Sequence, residues 1–110
     1  MIISDRKKGN IKILELIGRI DNDTNEEFEK ELSYLVHNEE RILVDCSKLN
    51  YINSRGLRTF LEVLKKVSKS KGKFFICSLK PEIQEIFRIS GFLNLFDVYN
   101  TQESAIEGFQ

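Results

Sequence analysis

The segment from Arg41 to Lys66, RILVDCSKLNYINSRGLRTFLEVLKK, limits the possible folds of this chain more than any other. It opens on Ile42, Leu43 and Val44, with Cys46 one step on, a short branched apolar run without alternation. Such a run suits a central strand covered on both faces, because neither face meets water. A short polar turn from Asn50 to Ser54 leads into Leu57, Phe60, Leu61, Leu64 and Val67, apolar residues at helical steps. That periodicity predicts an amphipathic helix. Asn53 and Ser54 then fall at the mouth of a helix that follows a buried strand. The first backbone N–H groups there lack intrahelical partners and the macrodipole is positive, so a hydroxyl can cap the helix or carry a phosphate.

A chain of 110 residues has the size of one core, and one domain over 1–110 is expected. Hydrophobic residues at 41% and charged residues at 31%, with one Pro, exclude a disordered or fibrous composition. The formal charge is zero, which gives no basis for nonspecific nucleic-acid binding. Cys46 and Cys77 both lie inside apolar runs without metal-ligand spacing, as expected of buried reduced thiols. No run approaches membrane-spanning length, and MIISDRKKGN lacks the apolar region of a signal peptide. The expectation is a soluble cytoplasmic protein with no membrane association, no cofactor and no metal.

Along the chain, Ile2-Ile3 reads as a short edge strand, Asp5 to Asn10 as a turn, and Ile11 to Ile17 as a strand. Gly18 to Thr24 breaks that pattern, and Thr24 with Glu27 fits a capping box for a helix presenting Phe28, Leu32, Leu35 and Val36. After the central unit, Phe74 to Cys77 reads as a second buried strand. Pro81 opens a helix with the stripe Ile83, Ile86 and Phe87, and Gly91 ends it. Leu95 to Tyr99 suggests a last strand, with a terminal helix from Thr101 to Phe109. Helices that alternate with strands predict an α/β, or mixed α+β, domain with one sheet.

The charges divide unevenly: eight acids and one Lys from Asp21 to Glu40, seven bases and one Glu from Arg55 to Lys73. Arg55, Arg58, Glu62, Lys65 and Lys69 recur at helical steps, so they form one stripe that starts beside Ser54. The stripe is either a solvated face, a docking surface for an acidic partner, or a place where guanidinium groups meet a phosphate on Ser54. RNA binding fits less well, since no aromatic platform accompanies it. Enzyme signatures are missing, and His37, the single histidine, stands apart from both cysteines. A phosphocarrier or redox role for Cys46 requires an accessible thiol of lowered pKa.

Three segments together resemble the STAS-domain family of bacterial anti-sigma factor antagonists. Ile17-Gly18-Arg19-Ile20-Asp21 with Thr24 is similar to the family's G-x-[LI]-D-x-x-[ST] turn into its first helix. Ile42 to Leu57 resembles its signature of a buried strand, a short link and D-S-x-G-L, and Phe87 to Phe92, reaching on to Phe96, resembles its late helix and glycine stop. The resemblance implies a single STAS-like domain with one small mixed sheet of about four to five strands flanked by about four helices. It also implies partner switching by a protein that is not itself an enzyme. In the family the unphosphorylated antagonist binds an anti-sigma factor that is also a GHKL-type serine kinase, which frees a sigma factor. The kinase then phosphorylates the serine of D-S-x-G, and a metal-dependent serine phosphatase resets it.

By that resemblance Ser54 is the phosphorylated residue, and Asp21, Asn22, Thr24, Asn53, Arg55, Gly56, Arg58 and Glu62 contribute to partner binding in a monomer or weak dimer. This sequence departs from the pattern at three places. Asn53 replaces the commoner Asp, Arg55 fills a position that is usually small, and Arg58 stands where many members have Gly. Asn still accepts hydrogen bonds at a helix start. The two arginines can pair with a phosphate or select an acidic partner. Some STAS domains act without a phosphorylation cycle, and in such a module Ser54 serves only as a helix cap.

Overall fold

The computed structural model describes residues 1–110. Strands β1 (Ile2–Lys8) and β2 (Ile11–Ile20) form a hairpin, after which helix and strand alternate. These are α1 (Asn25–Asn38), β3 (Arg41–Ile52), α2 (Ser54–Lys69), β4 (Lys73–Cys77), α3 (Pro81–Ile89), β5 (Asp97–Tyr99) and α4 (Gln102–Gly108). A 3-10 turn over Leu93–Leu95 precedes β5. The sheet runs β1-β2-β3-β4-β5, with β1 antiparallel to β2 and every other pair parallel. The mixed α/β architecture is the expected one.

From β2 onward each crossover moves one position in the same direction. Right-handed crossovers that all step the same way place their helices on the same face. Accordingly α1, α2 and α3 bury Phe28, Leu32, Phe60, Val67, Ile83 and Phe87 against Leu14, Leu16, Val44 and Ile76 in one core of 20 residues. α4 covers the opposite face, where Ala105 and Phe109 meet Ile13, Leu43 and Phe75 in a smaller core of 7. β3 supplies Ile42, Val44 and Cys46 to the first core and Leu43 to the second, which accounts for its unbroken apolar run.

Phe60 is the hub of the larger core. Its ring lies 5.4 Å from Phe28, 5.7 Å from Phe87, 6.1 Å from Phe74 and 6.3 Å from Phe96, joining α1, α3, β4 and the approach to β5. α3 ends as its glycine predicts: Gly91 adopts φ +78°, and the N–H groups of Phe92 and Gly91 donate to the carbonyls of Phe87 and Arg88 at 2.8 and 3.1 Å.

Three strands run further than the sequence suggests. β1 continues through Asp5–Lys8 because an edge strand exposed on both sides can carry charge, and the turn shrinks to Gly9 and Asn10. β2 continues through Gly18, at φ +113°, to the buried Ile20. β3 continues through Ile52, where a polar turn was expected. Its register against β2 passes from Glu15↔Asp45 to Ile17↔Lys48 and from Gly18↔Leu49 to Arg19↔Tyr51, so β3 holds an extra residue at each of two bulges. Cys46, Leu49 and Ile52 consequently all face inward at three-residue intervals, with Asn50 and Tyr51 left outside.

Phe60→Ala removes the hub of four ring contacts, and a loss of about 3–5 kcal/mol in urea denaturation is expected. A loss under about 1 kcal/mol would show that the surrounding rings close the gap.

Candidate functional site

The carboxyl ends of the parallel strands β2 and β3 lie side by side, with Ile20 paired to Ile52. α1 starts from one of these ends and α2 from the other, so two helix N-termini with their unpartnered N–H groups and positive dipole ends meet at one edge of the sheet. Asn53 joins them. Its backbone N–H donates to the Ile20 carbonyl at 3.0 Å, and its side-chain oxygen caps α2 by accepting from the Gly56 N–H at 2.9 Å. That bond fixes which end of the amide is oxygen. The Asn53 Nδ2 therefore points to Asn25 at the start of α1, donating to its Oδ1 at 2.9 Å while Asn25 Nδ2 donates back at 3.1 Å. A longer bond, 3.4 Å, reaches Asn22 Oδ1. Asn25 is fully buried, so this reciprocal pair is its whole polar environment.

Because Asn53 is the cap, Ser54 is not, contrary to the reading of Ser54 as an N-cap. Ser54 is the first residue of α2, exposed, and its hydroxyl makes no hydrogen bond within the chain. The predicted capping box at Thr24 is also absent. Thr24 precedes α1 without capping it, and its hydroxyl instead donates to the Arg19 carbonyl at 2.8 Å and accepts from the Asp21 N–H at 2.9 Å. Those bonds, with the Asp23 N–H donating to Asp21 Oδ1 at 3.0 Å, shape the turn between β2 and α1 and leave Asn22 and Asp23 exposed. Arg19 lies over the Tyr51 ring at 4.5 Å on the rim of the same edge.

The remaining sequence-predicted residues divide by exposure. Arg58 and Glu62 are exposed on α2, on the same stripe as Lys65 and Lys69. Gly56 is buried and offers no surface. A Cβ there would stand 2.6 Å from Ile20 Cγ2 and 2.9 Å from Ile52 Cγ1, so the glycine lets α2 start close against the two strand ends. Arg55 is exposed but engaged: Nε and Nη2 donate to the two carboxylate oxygens of Glu29 at 2.7 and 2.8 Å, bridging α2 to α1. The Arg55 hydrogen bond, with the charges of Arg55 and Arg58 adding to it, holds the Glu29 carboxyl below its ordinary pKa. Sequence reading missed Asn25 and Glu29, since neither belongs to a local motif and each acquires its partner from 26 or 28 positions away.

Cys46 has no accessible surface, and burial, followed by Cys77 and Asp45, pushes its thiol well above the ordinary value. Burial likewise pushes Cys77 up to about 12. A phosphocarrier or redox role for Cys46 fails on both of its requirements.

The STAS domain family profile matches residues 3–105. The chain belongs to the STAS domain family. It is 40% identical over 96 residues to BtrV of Bordetella bronchiseptica, which is named an anti-sigma factor antagonist, covering 86% of this chain and 83% of that protein. The fold of the anti-sigma factor antagonist SpoIIAA in its unphosphorylated form matches with a TM-score of 0.82 at 17% identity, over 96% of this chain and 94% of that one. Bacillus SpoIIAA in its phosphorylated form matches with a TM-score of 0.76 at 18% identity, over 99% and 100% of the two chains. The paired helix start around Asn53 and Ser54 is the candidate site of this STAS domain.

Asn53→Ala removes the α2 cap and strands the buried Asn25 amide, so a loss of about 2–4 kcal/mol is expected by chemical denaturation. Asn53→Asp keeps the cap and the acceptor for Asn25 Nδ2 but leaves the buried Asn25 Oδ1 without a donor, so a smaller loss of about 1–2 kcal/mol is expected, and no loss at all would refute the amide pair. Native-state alkylation of Cys46 and Cys77 should proceed only at the rate of unfolding; rapid labelling at neutral pH would contradict the burial described above.

Proposed function

We propose that this STAS domain is an anti-sigma factor antagonist in a partner-switching pathway, with Ser54 as the switch. The observation that carries the reading is the Ser54 hydroxyl, exposed at the first position of α2 and without a partner because Asn53 has taken the cap. A serine used for capping is held against its own backbone; this one is available to another molecule.

In the unphosphorylated state the turn from Arg19 to Thr24, the α2 start and the exposed stripe of Arg58, Glu62 and Lys65 form the surface that binds an anti-sigma factor, itself a GHKL-type serine kinase. The kinase transfers the γ-phosphoryl group of ATP to Ser54. The Oγ–P bond forms as the bond to ADP breaks, and the hydroxyl proton leaves. The phosphate brings about −1.5 to −2 charges to a helix N-terminus, which tolerates an anion without unfolding. The match to SpoIIAA in both its unphosphorylated and its phosphorylated form supports a switch made within one fold. Release follows from charge and bulk placed within the interface, where taking a phosphate out of water is strongly unfavourable. A metal-dependent serine phosphatase hydrolyses the phosphate and restores binding. The chain is a substrate and a binding module in this cycle, which runs in the cytoplasm. No helix of the chain is long and apolar enough to cross a membrane.

Incubation with ATP and the partner kinase should add one phosphate, mapped by peptide mass spectrometry to Ser54 and absent from Ser54→Ala. Ser54→Asp should weaken the complex by about tenfold or more. A stable complex in which Ser54 is never phosphorylated, and which Ser54→Asp leaves intact, would replace the switch with constitutive docking.

A further inference from the structure

We infer that Arg58 clamps a phosphate carried by Ser54, and that the Arg55–Glu29 pair is what leaves Arg58 free to do so; the inference rests on Ser54 as the phosphorylated residue.

Ser54 and Arg58 are four positions apart on α2, which puts them on the same face, with Cβ atoms about 5–6 Å apart. Helical side chains lean toward the helix N-terminus, so an arginine at position 58 can reach back over the turn that carries Ser54. Both residues are exposed. Arg58 donates no hydrogen bond and enters no ion pair, whereas Arg19, Arg55 and Arg88 are each committed to a carboxylate.

Two carboxylates are near enough to take Arg58. Glu62 follows it by four positions, the less favourable order for an Arg and a Glu on a helix, and no bond forms between them. Glu29 is the stronger competitor, and the Arg58 charge contributes to lowering its pKa after the larger effect of Arg55. Arg55 removes that competitor by occupying both Glu29 oxygens, at 2.7 and 2.8 Å. Each arginine therefore has a distinct task. Arg55 neutralises the acid of α1 beside the serine, and Arg58 remains as a planar donor that can fork onto two phosphate oxygens. The unpartnered N–H groups of the first α2 turn complete the anion's surroundings. A phosphate so held lies back along α2 and is partly neutralised, which makes it a poorer repellent of a partner and slower to reach a phosphatase than a free phosphoserine.

Phosphoserine is installed at position 54 of the full chain by genetic encoding, and its second ionisation is followed by phosphorus NMR. Arg58→Gln should raise the phosphate pKa by about half a unit, and Arg58→Lys should restore most of the shift. Arg55→Gln should also raise it, because Glu29 then draws Arg58 away, and adding Glu29→Gln to Arg55→Gln should bring it back. All four substitutions alter exposed or half-exposed side chains, and circular dichroism confirms the fold. Titration curves for wild type and Arg58→Gln that superimpose would overturn the clamp. The phosphate is placed without a kinase, so failure of the kinase to modify Ser54 defeats the proposed switch and leaves this titration readable. A modified Ser54 with superimposed curves defeats the clamp alone.

Discussion

The Asn53 side chain satisfies its full hydrogen-bonding capacity at the junction on which this domain's candidate site depends. Its oxygen accepts from the α2 backbone and from Asn25, and its nitrogen donates to Asn25 and Asn22. Two helix N-termini set side by side repel through their dipole ends and expose donors that need acceptors. A neutral amide with both functions answers these demands at once. An aspartate cap would offer more favourable charge at two positive ends but no donor for the buried Asn25 oxygen. Gly56 is part of the same solution, since only a residue without Cβ lets α2 begin against Ile20 and Ile52.

With the cap supplied by Asn53, Ser54 is structurally idle, and its surroundings are electrostatic. α1 is rich in acids, and α2, which Ser54 begins, is rich in bases. Their one close contact is the fork between Arg55 and Glu29, which is exposed enough that its net contribution to stability is small. Its larger effect is on which charges remain unpaired around Ser54.

The rigidity of this edge comes from behind it. The rings around Phe60 tie α2 to α1, α3 and β4, and the bulges of β3 carry Ile52 inward and Asn53 to the sheet end. A change at the surface serine therefore acts on a frame with little freedom to move, consistent with a switch that works by charge at an interface.

Much of this was legible in the sequence. The unbroken run at Ile42–Val44, the helical stripe after Ser54, Pro81 and Gly91 each depend on local sterics or on burial periodicity, and each appears where those rules place it. The pattern around Ser54 likewise located the start of α2, because strand, cap and helix start are contiguous in the chain. Legibility failed where partners come from elsewhere. The length of β3 was hidden by two bulges that replaced the two-residue alternation with a three-residue one, and bulges are set by the register against β2. Thr24 matched a capping box, yet its hydroxyl went to Arg19 and Asp21. The identity of the α2 cap, the burial of Asn25 and the capture of Arg55 by Glu29 were decided only when the crossover brought α1 against α2. A hydrogen bond across 28 positions leaves no periodic trace in the sequence, since its two ends are brought together by the sheet between them.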